Sequence, residues 1–255
     1  MARNADGGRG HTGGAPAAQA AEEAAQAVED GPARPLLVAP LRIERRALVR
    51  GGAGTVLRSG MGEAKSLACA ETLTGAPAVA VAGMGAGMEG LRPGDIVVAT
   101  EVRGPDGEVR PCPWADSLVK ALRPLPVPVY AGPVATVRKL VRPAERGPLA
   151  EAGVVAADME SFFLLTEWWT RPGPERPWAV VRVVSDSPKH ELLRPGIVRN
   201  GLTAYRSLKA AARTLSDWLD AVAGPDSGPF PTAGAREGAD LGVGRGTADE
   251  QDGGG

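Results

Sequence analysis

The chain has 255 residues, with 29 basic and 30 acidic side chains, a formal net charge of -1, two cysteines and two histidines. That length suits one large domain with a substantial core, and the charge balance leaves no electrostatic footprint for nucleic acid or an anionic membrane. Cys69 and Cys112 make neither a disulfide framework nor a zinc motif, which points to the reducing cytoplasm. His11 lies in a glycine-rich stretch, and only His190 falls within the probable domain, so a histidine-built metal site or a Ser-His-Asp triad has almost no material and no metal is expected.

Residues 1–34 are rich in Gly, Ala and charge and lack a β-branched cluster, so burial there cannot offset the entropy of ordering. They are expected to form a disordered tail, as are residues 224–255, leaving residues 35–223 as the folded domain. Within the first tail, residues 18–29 have helix-forming composition, but an isolated helix of that length is marginal in water. No apolar run approaches the roughly 20 residues that span a bilayer, and the N-terminus lacks the order of a signal peptide.

The first strand is Leu36-Leu37-Val38-Ala39, followed by a loop from Pro40 into a short helix that carries Glu44. A second strand, Thr55-Val56-Leu57-Arg58, runs into Ser59-Gly60-Met61-Gly62 and then into a helix of small apolar residues over 63–73. Residues 78–82 read as a buried strand that ends at Gly83. The turn Arg92-Pro93-Gly94-Asp95 has type II chemistry, with Pro second and Gly third, and reverses the chain into a strand over 96–102.

Beyond it come a modest helix over 114–122, an extended run over 127–134 and a short helix over 144–152. Val154-Val155-Ala156-Ala157 is a short strand that hands over to Asp158-Met159-Glu160-Ser161, and residues 159–169 are apolar nearly all round, as a helix packed between other elements requires. A strand over 178–184 leads into a long polar loop, residues 185–200, of the kind that carries function at strand ends. The last helix, residues 202–222, places Leu208, Ala211, Ala212, Leu215, Leu219 and Val222 on one stripe. Strands alternating with helices predict a three-layer αβα sandwich around a central mixed, largely parallel sheet.

Continuous β-branched runs are strands buried on both faces, and ligands bind just beyond their carboxyl ends. Glu160 and Asp186 both sit at such ends. Asp158 reads as the N-cap of the helix that follows it, whereas no role could be assigned to Arg182 or His190.

Four motifs resemble the purine nucleoside phosphorylase and nucleosidase superfamily and fall in its order over residues 35–222. They are Ala157-Asp158-Met159-Glu160-Ser161, Val180-Val181-Arg182-Val183-Val184-Ser185-Asp186, Ser59-Gly60-Met61-Gly62, and the glycine-rich run from Gly83 to Gly90 with the Pro93-Gly94-Asp95 turn. The resemblance implies a nucleoside phosphorylase-like fold, a homo-oligomer, and cleavage of an N-ribosyl bond. In that reading Asp186 protonates N7 of the leaving purine, an acid's task that partial burial favours. Glu160 accepts hydrogen bonds from the ribose hydroxyls, and Met159 packs on the sugar.

Ser185, Gly83 and Gly85 join the substrate site, with Trp114 a candidate stacking platform or simply core. Glu44 stands near the glutamate that activates water in the family's hydrolases, or is a solvated loop acid. Arg42 and Ser59 are candidates to bind inorganic phosphate as co-substrate, which would make the nucleophile phosphate instead of water. The compressed glycine run, Gly132-Pro133-Val134-Ala135-Thr136-Val137 and the Asp-Met-Glu-Ser motif incline the resemblance to the hopanoid-associated branch. The implied substrate is then adenosylhopane, the product adenine, and the place of action the membrane surface. Methylthioadenosine/adenosylhomocysteine or futalosine nucleosidases are the alternative, and a nucleoside-binding protein without turnover is the alternative of another class.

Overall fold

Chain segments rich in Val, Ile and Ala build the sheet, because β-branched and small side chains fit a pleated surface covered on both faces. The computed structural model describes residues 34–172, 175–188 and 197–224; the expected tails and His190 lie outside them, apart from the boundary residues Arg34 and Gly224. The strands are β1 (Leu36–Ala39), β2 (Val56–Arg58), β3 (Val79–Gly87), β4 (Ile96–Arg103), β5 (Val109–Pro111), β6 (Val129–Thr136), β7 (Ala156–Asp158) and β8 (Trp178–Asp186). Pairings β1–β2, β1–β3, β3–β8, β4–β6 and β6–β7 are parallel, and β3–β7, β4–β5 and β4–β8 are antiparallel. The sheet is therefore mixed and largely parallel.

One feature of it was not legible beforehand. Following the pairs from β3 to β8, β4, β6 and β7 leads back to β3, so these five strands close into a ring.

The helices are α1 (Arg42–Arg50), α2 (Glu63–Leu73), α3 (Ala115–Leu122), α4 (Pro143–Glu151), α5 (Ser161–Thr170) and α6 (Ile197–Val222). Packing of α1 and α3 on α6, and of α2 on α5, covers the two sides of the sheet and completes the αβα sandwich. The α6 stripe is buried as its spacing predicts, from Leu208 at 0% exposure to Val222 at 4%. Each such leucine or valine contributes roughly 1.5–3 kcal/mol by leaving water. The type II turn is also present: Asp95 N–H donates to the Arg92 carbonyl at 3.0 Å, and Gly94 has φ +99°.

Several boundaries differ from the sequence reading. β3 does not stop at Gly83 but runs to Gly87, because β8 pairs with it as far as Ala86 and takes up its backbone polar groups. The glycine run is thus mostly strand. β8 likewise reaches Asp186, so Ser185 and Asp186 belong to the strand and not to the loop, while α6 starts at Ile197. Met159 and Glu160 precede α5, and β5, only three residues long, carried too weak a pattern to be foreseen.

Candidate functional site

The site arises from the direction of two strands against β3. β7 runs antiparallel to it, with Ala157 opposite Ala86 and Ala156 opposite Gly87, so the chain leaving β7 heads back toward Gly83. β8 runs parallel to it, with Arg182 beside Gly83 and Asp186 beside Ala86. Arg182 therefore meets the residues that follow β7. Asp186 stands one level further along the same strand.

At the Gly83 level the centre is Arg182, which has no solvent exposure. Its Nε donates to Asp158 Oδ2 at 2.7 Å and its Nη2 to Ser161 Oγ at 2.7 Å. Asp158 Oδ1 also accepts from Thr136 Oγ1 at 2.8 Å and from the backbone N–H groups of Glu160 and Ser161 at 3.0 and 3.1 Å. Asp158 is thus not the N-cap, a position that Glu160 holds, but its carboxylate takes the two backbone N–H groups at the entry to α5 and adds an ion pair. Burial pushes the Asp158 carboxyl up, but the Arg182 charge and the hydrogen bonds from Ser161, Arg182 and Thr136 outweigh it and hold the group below its usual value. Arg182 is likewise held in its charged form: burial opposes it, and Asp158, Glu160 and Glu44 prevail.

Glu160 Oε1 accepts from Gly62 N–H at 3.0 Å and Oε2 from Met159 N–H at 3.2 Å. The Ser59-Gly60-Met61-Gly62 element and the Asp-Met-Glu-Ser motif, far apart in sequence, thus meet on one carboxylate. Glu44 occupies the first turn of α1, where Oε2 takes the N–H of Leu41 and Oε1 that of Met84, both at 2.7 Å. It is 2% exposed, so it is not a solvated loop acid. Burial raises the carboxyls of both Glu44 and Glu160 above their usual value; Arg182 pulls both down without cancelling it. Buried carboxyls with raised proton affinity beside a fixed cation are a pattern found at acid–base sites.

The glycines here are required by space. A Cβ on Gly83 would lie 2.7 Å from Arg182 Nη1 and 2.9 Å from Glu44 Oε1, and one on Gly85 2.9 Å from the Ala157 carbonyl oxygen.

At the next level a β-bulge separates the pairs Gly85–Val184 and Ala86–Asp186, leaving Ser185 as the extra residue of β8. Ser185 Oγ is 3.3 Å from the Gly85 carbonyl oxygen and 2.8 Å from Asp186 Oδ1. The other oxygen of Asp186 is ion-paired with Arg146, from α4. Asp186 is 3% exposed and Arg146 5%.

The structure does not gather every candidate. Trp114 is packed in the main core at the start of α3, where Ser117 Oγ donates to its carbonyl, the setting of a packing residue. Arg42 is exposed on α1, and Ser59 is half-buried with its hydroxyl on the Gly60 carbonyl. Both cysteines are free; Cys112 is buried, and burial pushes its thiol up to about 12. Arg182 and Arg146 are the site residues that sequence reasoning missed. A lone arginine inside Val180-Val181-Arg182-Val183-Val184 was a usable signal, since a charge in a fully buried strand must be paired. Arg146, in a polar helix, gave none.

No protein-family model matches the sequence, and neither does any curated protein. Solved structures match in shape. The 5'-methylthioadenosine/S-adenosyl homocysteine nucleosidase of Campylobacter jejuni superposes with a TM-score of 0.60 at 13% identity, covering 73% of this chain and 100% of its own. The chain has the fold of the nucleosidases. The Neisseria meningitidis 5'-methylthioadenosine/S-adenosylhomocysteine nucleosidase, solved with methylthio-immucillin-A, gives 0.59 at 18% identity over 72% and 99% of the two chains. Futalosine hydrolase of Helicobacter pylori gives 0.60 at 13% identity over 73% and 98%. The nucleosidase fold therefore spans nearly the whole of each of these neighbours. At such identities the likeness is one of backbone, and the roles of individual side chains rest on their own geometry.

Proposed function

We propose that this protein hydrolyses the N-glycosidic bond of a purine nucleoside derivative and releases adenine. The observation that carries this reading is the convergence of Glu44, Glu160 and Arg182 in one buried cluster at Gly83, with Asp186 next along the same strand. Glu160 has two backbone donors on its two oxygens, and a carboxylate's roughly four lone-pair sites leave room for a ribose diol. Glu44 takes a proton from water as the water oxygen bonds to C1′. The bond from C1′ to N9 breaks with its electron pair going to the base, and Asp186 transfers a proton to N7 so that adenine leaves neutral. Arg42 and Ser59 would serve instead if phosphate were the nucleophile; the burial of Glu44 in the first turn of α1 favours water.

For the 5′ substituent we favour a large apolar group, as in adenosylhopane, met by a cytoplasmic protein at the membrane surface. Met61 adjoins the Gly62 N–H that binds Glu160 and is 55% exposed, and the half-buried Met159 flanks the same carboxylate. Among the described residues no helix is long and apolar enough to cross a membrane. The second reading, methylthioadenosine or a related nucleoside, is favoured by the solved neighbours named above.

Free-base release from adenosine, 5′-methylthioadenosine and an adenosine with a long apolar 5′ chain, each with and without phosphate, tests both readings. Release from the apolar substrate alone supports the first, and release from methylthioadenosine without phosphate supports the second. Phosphate dependence removes water as the nucleophile, and release from none leaves a nucleoside-binding protein.

A further inference from the structure

We propose that Arg146 is a positioning residue for Asp186; the inference rests on the reading of Asp186 as the proton donor to the leaving base. Helix α4 sends one buried side chain into the protein, and it is this arginine. Its Nη2 pairs with Asp186 Oδ2, while its Nη1 donates to the Gly87 carbonyl at 2.7 Å and approaches the Asp186 carbonyl at 3.5 Å. Its Nε is buried and has no hydrogen-bond partner among the described residues.

The neighbouring cluster of Ala86, Met88, Val141 and Val154 is apolar, so an aliphatic side chain would anchor α4 without the desolvation that a buried guanidinium suffers. A cation kept here serves the carboxylate. With Ser185 Oγ on Oδ1 and Arg146 on Oδ2, the Asp186 carboxyl has one orientation. Asp186 takes up a proton from solvent before each turnover, and when that O–H bond breaks and the N7–H bond forms, the negative charge returned to Asp186 is the charge that Arg146 already faces. Proton transfer is thereby favoured at the moment the base departs, without movement of the protein.

The test uses the full chain and steady-state adenine release from adenosine, 5′-methylthioadenosine and the long-chain analogue, with R146K, R146Q, D186N and R146Q/D186N, each checked for folding by circular dichroism. We expect R146Q to lower kcat about 100-fold and R146K about 10-fold, with KM within about 3-fold in both, as for an effect confined to the transition state. In the D186N background, R146Q should change kcat by less than about 3-fold, because residues acting as a unit are not additive. If D186N loses activity while R146Q keeps it, Arg146 has no such role and the assignment of Asp186 stands. Full activity of D186N instead refutes the assignment of Asp186, and losses that multiply in the double variant refute action through Asp186. Should R146Q fail to fold, R146K decides: the 10-fold loss in kcat upholds the proposal and an unchanged kcat overturns it. Release by wild type from none of the three nucleosides overturns the functional reading and this one with it.

Discussion

Arg182 and Asp158 form an ion pair, Nε to Oδ2 at 2.7 Å, in which neither side chain is exposed to solvent. Ser161 Oγ bonds to both of them, and Thr136 Oγ1 and the N–H groups of Glu160 and Ser161 complete the Asp158 contacts, while Arg182 Nη1 is buried without a hydrogen-bond partner among the described residues. Together these bonds hold the end of β7 and the middle of β8 in one arrangement. Glu44 and Glu160 are then placed against a cation that cannot move away.

Replacing Arg182 by Met leaves the buried Asp158 carboxylate uncompensated. The expected loss is about 3–5 kcal/mol of unfolding free energy, read from urea denaturation. Adding D158N to R182M should recover part of it, and a loss below about 1 kcal/mol in R182M would show that the pair is not a structural requirement.

The acids of the cluster give stability two opposed dependences on pH. Glu44 and Glu160, raised above the usual 4.5, contribute stability that is fully present below 4.5 and lost as the pH rises through their folded values. Asp158, held below the usual 3.8, contributes stability that is present above 3.8 and lost as the pH falls through its folded value. Melting temperature measured from pH 3 to pH 8 should therefore decline above 4.5 less steeply in E44Q and E160Q than in wild type. Parallel curves for all three proteins would contradict the burial argument.

Gly83→Ala places a methyl where Arg182 Nη1 and Glu44 Oε1 already lie, at 2.7 and 2.9 Å. Overpacking of this kind costs about 1–3 kcal/mol. We expect that loss in thermal unfolding together with a lower kcat, since Glu44 is the group displaced. A variant with wild-type kcat would mean that Glu44 tolerates the shift and does not position water.

Glu160→Ala removes the acceptor for Gly62, Met159 and the ribose hydroxyls together. Its kcat/KM for adenine release should fall about 100-fold, the scale of losing hydrogen bonds to a charged group in the transition state. E44Q, which keeps the shape of the side chain but not the base, should lower kcat by about 100-fold or more with KM little changed. Turnover by E160A at the wild-type rate would remove Glu160 from the substrate site.

Much of this was legible in the chain. The buried strands and the α6 stripe follow from side-chain periodicity, and Pro93-Gly94 specified its turn because Gly94 must adopt positive φ. Glu160 and Asp186 were found because strand ends are where ligands meet an α/β sheet. The third strand was ended too early, at Gly83, because glycine weakens strand propensity locally, whereas the missing side chains of Gly83, Gly85 and Gly87 make room for Arg182, Glu44 or Val184 across the strand. The pairing of β7 with β3 is non-local and short, with two residue pairs, so no pattern in either segment announced it. Arg146 was invisible because its partner lies 40 positions away and its own helix is polar.

The ring of β3, β8, β4, β6 and β7 bears on how the protein acquires its chemistry. β8 joins residues about a hundred positions apart, and neither Arg182 nor Asp186 meets its partners until that strand has docked between β3 and β4. Such long-range pairing is slow to form. A refolding chain should regain helical signal well before turnover, and a nascent chain that ends ahead of Trp178 would be catalytically silent however much of its sheet had assembled.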